Sequence, residues 1–252
     1  MRPESSSQTH PDSWLLDKDG FKQPAIQVVD VVRKYKVGSE EVQALRGINL
    51  TVPEGQFVAL MGRSGSGKTT LLNIIGGLDR PTTGEVFISG QSLSNLSEGE
   101  LTKLRRSQFG FVFQSFALIP ILSAAENVEL PLRIAGKYSL RERKQRVMEA
   151  LSLVGLAKWA EHRPYEMSGG QQQRVAIARA LVTRPKILIA DEPTGELDSK
   201  TGQMVLNLLR KVVDESKVTL VMATHDPAVE EYADVLYRMQ DGQIIDTLIK
   251  TM

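Results

Sequence analysis

A glycine-rich stretch early in the chain has the residue types of a phosphate-binding loop. It reads Gly62-Arg63-Ser64-Gly65-Ser66-Gly67-Lys68-Thr69-Thr70, which fits the pattern G-x-x-x-x-G-K-[ST]. Its glycines let bare backbone approach a ligand, and the N–H groups of such a loop point inward at an anion. The ammonium group of Lys68 suits β- and γ-phosphates, and the hydroxyl of Thr69 suits Mg²⁺. The stretch therefore predicts a nucleoside triphosphate site.

Two carboxylates follow an apolar run later in the chain. The run Ile187-Leu188-Ile189-Ala190 predicts a buried strand, and Asp191 and Glu192 come directly after it. Such a strand can carry Asp191 to the Mg²⁺ shell, while Glu192 faces the attacking water as a general base. The alternative is an ordinary strand end with two solvated acids. The phosphate-binding loop upstream makes that the weaker interpretation.

A second candidate anion site lies in the sequence Met167-Ser168-Gly169-Gly170-Gln171. It precedes a helical apolar pattern made by Val175, Ile177, Ala178 and Leu181. Ser168 can cap this helix, and the two glycines after it free the backbone amides at the helix start. As a bare cap the sequence would be common. Because it lies far along the chain from the first loop, we interpret it as a separate phosphate-binding helix end.

Groups so distant in sequence need strands and helices to bring them together. Helical patterns lie at 68–75 and 201–214, and Asp241-Gly242 between two β-like runs predicts a hairpin. From residue 116 to about 182, charged helix-forming sequence predicts a helical subdomain inserted into an α/β core. Residues 1–24 predict a flexible tail before a domain at 25–252. Apolar and β-branched runs predict strands at 26–35, 42–52, 57–61, 85–88, 109–113, 186–191 and 218–224.

Composition limits the partners and the chemistry. The chain has 252 residues, a net charge of +1 and no cysteine. The balanced charge gives no electrostatic argument for nucleic-acid binding, and we expect no nucleic-acid partner. The lack of cysteine excludes disulfides, thiolate nucleophiles and cysteine-based metal sites. No run approaches the roughly 18 apolar residues of a membrane span, so any membrane role is expected to come through a partner.

Together these motifs resemble the ATPase subunits of ATP-binding cassette (ABC) transporters, over residues from about 26 to 245. Ser168-Gly169-Gly170-Gln171 is similar to the family signature, with Met167 where Leu is usual, an exchange that conserves volume. The resemblance implies a P-loop NTPase (RecA-like) α/β core with an antiparallel β subdomain and an inserted helical subdomain. It also implies that ATP and Mg²⁺ bind and that ATP is hydrolysed. Two copies would sandwich two ATP molecules head to tail, each P-loop being completed by the other copy's signature.

The resemblance assigns roles to further positions. Tyr35 lies where the family places an aromatic residue that stacks on adenine. Gln114 resembles the glutamine that senses Mg²⁺ and the lytic water, and His225 resembles the histidine that contacts the γ-phosphate. Asp198 resembles the aspartate that couples the two sites. Glu196 departs from the Asn or small residue of the nearest groups and could alter the dimer contact.

The motifs and the resemblance together predict a full set of site residues. Catalysis is assigned to Lys68, Gln114, Glu192 and His225, and Mg²⁺ binding to Thr69, Gln114 and Asp191. His10 and His162 match no motif and are expected at the surface. Nucleotide binding is assigned to Tyr35, Gly62, Ser64, Gly65, Ser66, Gly67, Lys68, Thr69, Thr70, Ser168, Gly169, Gly170, Gln171 and Asp198.

Wider sequence context resembles the lipoprotein-release, macrolide-export and cell-division group of this family, at 72–79, 126–132 and 191–200. The resemblance implies an integral-membrane permease that contacts the region from Gln114 to Leu122 and is driven mechanically. The cargo class would be a lipoprotein, lipid, peptide or drug. The chain would then sit at the cytoplasmic face of the inner membrane. We expect part of the apolar run 116–122 to be exposed in the isolated chain; burial in the helical subdomain is the alternative.

Other functions fit the sequence less well. Translation ATPases of the family usually carry two cassettes in one chain, and repair ATPases insert a long coiled coil between P-loop and signature. This chain has one cassette and no sustained heptads there. A regulatory ATPase acting on a cell-envelope complex is a further alternative. A GTP switch would need the Asn-Lys-x-Asp motif, which is absent, and a plain kinase would not explain the sequence 168–171.

Overall fold

The computed structural model describes residues 24–250. The predicted N-terminal tail lies outside these residues except for Pro24. The described chain forms two β-sheets and six α-helices, and the predicted α/β class is confirmed.

The larger sheet has six strands, of which five run parallel. Its central strands are almost continuous apolar runs, because both of their faces are covered by other elements. The antiparallel strand at one edge belongs to the hairpin predicted at Asp241-Gly242. In spatial order the strands are β10 (Gln243–Ile249), β9 (Val235–Gln240), β3 (Phe57–Met61), β8 (Thr219–Thr224), β7 (Ile187–Asp191) and β6 (Phe109–Val112).

The smaller sheet is antiparallel and packs against one face of the larger sheet and the helix α1 (Lys68–Ile75). Its apolar face joins the face of β3 and α1 in one buried cluster that includes Ile26, Leu50 and Ile74. The helix α2 (Glu98–Gln108) closes this cluster with Leu101 and Leu104. The strands, in spatial order, are β2 (Glu40–Val52), β1 (Ile26–Val37), β4 (Thr83–Ile88) and β5 (Gln91–Ser92).

The helical subdomain packs against the opposite face of the larger sheet through a second buried cluster. It comprises α3 (Ala124–Ala135), α4 (Leu140–Leu153) and α5 (Gly169–Leu181), while α6 (Ser199–Ser216) belongs to the core. The first helix begins at Ala124, not at residue 116. Phe116 and Ala117 have φ of 55° and 49°, which a right-handed helix does not permit, and Pro120 follows closely. Residues 116–122 therefore form an irregular loop.

Candidate nucleotide-binding site

The loops that carry the predicted catalytic residues leave one edge of the larger sheet. They follow β3, β8, β7 and β6, which are neighbours in that order. Parallel strands present their carboxyl ends at the same edge, so the topology gathers residues that are distant in sequence. The residues gathered there are Gly62 to Thr70, His225, Asp191, Glu192 and Gln114.

The loop between β3 and α1 has a backbone that requires its glycines. Gly65 and Gly67 have φ of 80° and 99°, in the left-handed region that side chains disfavour. A Cβ on Gly67 would lie 2.8 Å from the carbonyl oxygen of Ala44, and one on Gly62 would overlap the carbonyl oxygen of Met239. Because α1 begins at Lys68, its free N–H groups and positive end face the space that the loop encloses.

The Lys68 side chain is almost fully buried and points back into the loop. Its ammonium group donates to the carbonyl oxygens of Gly62 at 2.7 Å and Arg63 at 3.1 Å. One carboxylate oxygen of Glu192 lies 3.5 Å away. A buried cation surrounded by oxygens is thus fixed where the loop would hold phosphate groups.

Thr69 and Asp191 supply a pair of oxygens suited to Mg²⁺. The Thr69 hydroxyl donates to the Asp191 carboxylate across 3.2 Å. Adjacent ligands of an octahedral Mg²⁺ ion with bonds of about 2.1 Å lie about 3.0 Å apart, so the two atoms fit one ion. Burial raises the pKa of Asp191, and the nearby Glu192 charge adds to this, while the Thr69 hydrogen bond and Lys68 oppose it.

Glu192 points away from Asp191 although the two are adjacent. Its φ is 48°, which is uncommon for a residue with a side chain. This turn leaves Asp191 on Thr69 and brings Glu192 between Lys68 and His225. Its second carboxylate oxygen lies 2.9 Å from Nδ1 of His225 and also accepts from the His225 backbone N–H. The two neighbouring acids therefore contact different groups: Asp191 accepts from the Thr69 hydroxyl, and Glu192 lies against Lys68 and His225.

Gln114 and Tyr35 lie at the margin of the site. The Gln114 amide lies beside Gly195, whose Cβ would be 3.1 Å from it. Among residues 24–250, Gln114 forms no hydrogen bond with Thr69 or Asp191. Tyr35 donates a hydrogen bond to Asp79, just after α1, across 2.6 Å.

The helix end at Ser168 is separate from the P-loop of the same chain. Ser168 caps α5 by accepting from the Gln171 backbone N–H, and the Gln171 side chain accepts from Ser168 in return. A Cβ on Gly170 would overlap the Thr201 methyl group, so α5 starts in close contact with α6. Asp198 caps α6 by accepting from Thr201. Within the described chain, no hydrogen bond joins residues 168–171 to the P-loop.

Comparisons with known proteins agree with this geometry. The sequence profile of the family described as ABC transporter matches residues 45–195. An ABC transporter ATP-binding protein of Methanocaldococcus jannaschii, MJ0796, is 50% identical over 222 residues, which cover 87% of this chain and 94% of that protein. The chain belongs to the ABC transporter family. It is an ATP-binding subunit of that family and an ATP hydrolase.

Two further relatives of this ABC ATPase are informative. A solved structure described as a dimeric, post-hydrolysis state of the MJ0796 cassette bound to ADP and Pi is 47% identical. Its TM-score is 0.83, with 90% of this chain and 100% of that one covered. The macrolide export ATP-binding/permease protein MacB of Syntrophobacter fumaroxidans is 47% identical over 220 residues. That alignment covers 87% of this chain and 31% of MacB.

Several residues of this ABC ATPase gain importance only in the structure. Asp79 and Arg33 hold Tyr35, and the Arg179 guanidinium donates to the carbonyl oxygens of Phe116 and Ala117. No motif or spacing indicates these contacts, which depend on tertiary packing. α2 was also unpredicted, although Ser97 and Glu100 form a capping box that signals its start.

His162, expected at the surface, is half-buried. Its ring lies 4.6 Å from that of Trp159, because the chain turns back on α3 at this point. His10 lies outside the described residues. In the described part of the chain, no helix is long and apolar enough to span a membrane.

Proposed function

We propose that this ABC ATPase binds ATP with Mg²⁺ in a head-to-tail homodimer and drives a membrane permease. The observation that carries the proposal is the convergence of Lys68, Glu192 and His225 at the mouth of the P-loop, with contacts of 3.5 Å and 2.9 Å. A cation, a carboxylate and an imidazole at that point are the groups needed to bind a γ-phosphate and to activate water.

Each side chain would have one task. Lys68 and the loop N–H groups bind the phosphates, and Thr69 and Asp191 hold Mg²⁺. When bound, Mg²⁺ neutralises charge that develops on the phosphate oxygens. Glu192 accepts the proton of the attacking water, and His225 keeps that carboxylate oriented through the hydrogen bond at Nδ1. Gln114, at the edge of the site, would join Thr69 and Asp191 as a Mg²⁺ ligand and would sense the lytic water.

The dimer is supported by the separation of the two anion-binding ends. The Ser168 end of α5 carries no acidic residue in its first turn, so its positive end stays available to an anion. Since it does not contact its own P-loop, we infer that it binds the γ-phosphate held by a second copy. The dimeric state of the MJ0796 cassette is consistent with this assembly.

The permease would contact the segment from Gln114 to Leu122, which we call the docking segment. Ile121 is 77% exposed and Ile119 40% exposed. Next to the segment lies a groove of about 430 Å³ lined mainly by apolar side chains, including Phe109, Phe113 and Ile134. An apolar surface of this kind, rimmed by arginines, indicates a protein partner.

The permease partner and the class of cargo are inferred from relatives and from the subgroup resemblance. The permease partner is supported by MacB, whose name joins an ATP-binding part to a permease. From the subgroup, we propose that the transporter exports a lipoprotein, lipid, peptide or drug by mechanical action on the permease. The chain would then be held at the cytoplasmic face of the inner membrane by its partner.

Replacing Glu192 by Gln tests the proposed mechanism. The variant keeps the shape and the hydrogen bond to His225 but cannot accept a proton. We expect ATP turnover to fall by about 10² to 10⁴-fold, ATP binding to persist, and an ATP-dependent dimer to accumulate. Phosphate release, calorimetry and light scattering after gel filtration measure these three quantities.

The control is Glu161→Gln, which changes an exposed glutamate without a hydrogen bond in the described chain. It should leave all three quantities at wild-type values. Wild-type turnover by Glu192→Gln would show that the general base is misassigned. Loss of turnover with ATP bound but no dimer would overturn the head-to-tail assembly.

A further inference from the structure

Tyr35 is held by the ion pair of Arg33 and Asp79. Its hydroxyl donates to one oxygen of Asp79 across 2.6 Å. Arg33, two residues earlier on β1, donates to both oxygens of the same carboxylate at 2.7 and 2.9 Å. The Arg33 guanidinium also lies over the Tyr35 ring, 4.4 Å from its centroid. The ring is therefore tethered at its edge and covered on one face.

The strand register places this ring near the P-loop. Tyr35 pairs directly with Val42 on β2, so both side chains lie on the same face of the hairpin. Val42 is two residues from Ala44, whose carbonyl oxygen packs on Gly67. At about 3.4 Å per residue and about 4.8 Å between strands, the ring lies roughly 10 Å from the loop. This separation matches the distance from the phosphates of a nucleotide to its base.

Val42 extends the apolar surface beside the ring. It is 49% exposed, and Tyr35 is half-buried. Since Arg33 covers one face of the ring, a flat ligand would have to stack on the other face, beside Val42. Stacking of a base on an aromatic ring contributes to binding without regard to base identity.

We propose that Asp79 and Arg33 are positioning residues for nucleotide binding, because they fix the Tyr35 ring with one face presented to the base. The proposal rests on the nucleotide site described above and adds two residues that act through Tyr35. It also defines specificity: the Tyr35 hydroxyl is committed to Asp79 and cannot read the edge of a base. Tyr35 would therefore contribute to base binding by stacking and not by a hydrogen bond.

The test compares ADP with pyrophosphate, both binding to the full chain with Mg²⁺ and both measured by calorimetry. Pyrophosphate needs the P-loop but not the ring, so it separates positioning from general damage. Tyr35→Ala should weaken ADP binding by about 5- to 100-fold through lost stacking. Tyr35→Phe and Asp79→Ala should each weaken it by about 3- to 10-fold, because the ring stays but its hydrogen bond is lost. Pyrophosphate affinity should not change in any of the three.

Glu41→Ala is the matched control. Glu41 pairs with Lys34 across 2.8 Å on the same hairpin but does not contact Tyr35. It should bind ADP and pyrophosphate as the wild type does. Wild-type ADP affinity in Tyr35→Phe and Asp79→Ala, with weak binding in Tyr35→Ala, would overturn the positioning role and leave the stacking intact. Equal losses for ADP and pyrophosphate would assign Asp79 a structural role and overturn the proposal.

Failure of the broader proposal would look different. If Tyr35→Ala bound ADP as tightly as the wild type, Tyr35 would have no part in base binding and the inference would fall with it. If the wild type bound neither ADP nor pyrophosphate, the nucleotide site itself would be wrong. The three patterns of affinity therefore distinguish the positioning role of Asp79 and Arg33, the stacking role of Tyr35 and the nucleotide site itself.

Discussion

Glu192 reaches Lys68 and His225, beside the Asp191–Thr69 pair, because its backbone φ is left-handed. With an ordinary strand conformation at Glu192, successive side chains would simply alternate across the sheet. The φ of 48° at Glu192 instead brings its carboxylate against Lys68 and His225. Such strain is kept where function requires it, since it costs about 1–3 kcal/mol.

Asp191→Asn should separate stability from function. Burial raises the pKa of Asp191 from its ordinary value of 3.8, so the folded chain holds this proton more tightly than the unfolded chain. Protonation of Asp191 adds to the free energy of unfolding, and this contribution is lost as pH rises through the folded pKa. At neutral pH the ionised carboxylate therefore destabilises the folded chain. The amide should therefore raise the melting temperature of the ligand-free chain, because it removes a partly buried charge.

Thermal unfolding from pH 8 down to pH 4, just above the ordinary pKa of 3.8, measures this effect. The advantage of Asp191→Asn should shrink as pH falls, because the wild-type carboxyl becomes protonated. With ATP and Mg²⁺ the order should reverse, since only the wild type has the ionised ligand. A ligand-free Asp191→Asn chain that melts below the wild type at pH 8 would contradict the account.

At the scale of elements, four helices begin with the same capping motif but differ in the charge at that end. The helices α2, α3, α4 and α5 each begin with a serine cap and a capping box. The partner in the box is glutamate in α2, α3 and α4, but Gln171 in α5. A neutral partner satisfies the same backbone groups without placing a negative charge at the helix end. This difference suits α5 to a phosphate.

Gln171→Glu should strengthen α5 and weaken the dimer. The added charge interacts well with the helix end and should stabilise the ligand-free chain by about 0.3–1 kcal/mol. It would face the γ-phosphate in the dimer, where like charges should weaken ATP-dependent dimerisation by about tenfold or more. Chemical denaturation and sedimentation of the Glu192→Gln dimer, with and without the change, measure the two effects.

The reciprocal change in α4, Glu142→Gln, is the control for this element. It should lower the free energy of unfolding by an amount similar to the gain expected for Gln171→Glu. The ATP-dependent dimer should be unchanged, because no anion is assigned to the start of α4. If Gln171→Glu dimerised as readily as its parent, the α5 end would not bind the phosphate.

The predictability of each element follows from how local its signal is. The strands around 57–61 and 187–191 were predicted because a buried parallel strand is a continuous apolar run, and the P-loop because its geometry needs fixed residue types. The irregular shape of the loop at 116–122 was not predicted, since it depends on a contact with Arg179 from α5. The φ of Glu192 and the contact of Asp79 with Tyr35 are tertiary effects that no local pattern contains.

At the scale of the whole molecule, the docking segment is exposed, and side chains of Asn127 and Arg179 hold parts of its backbone. Within residues 116–122, backbone hydrogen bonds are formed by the N–H groups of Ala117, Ile119 and Leu122. We expect the Leu118 and Ile121 amides of the isolated chain to exchange with solvent in seconds to minutes, while α5 stays protected for far longer. Hydrogen exchange with mass spectrometry measures both. Protection of the whole segment in the isolated chain would contradict its assignment to a partner surface.

The close contact between the starts of α5 and α6 has a consequence for the assembled protein. Gly170 leaves no space for a methyl group against Thr201, and the loop before α6 leads directly back to Glu192. A chain that lends its α5 to a neighbour's nucleotide cannot shift that helix without disturbing its own water-activating carboxylate. In the proposed dimer, each nucleotide would thereby be sensed at the opposite site. The two sites would then act as one cooperative unit, in which the occupancy of one sets the timing of the reaction at the other.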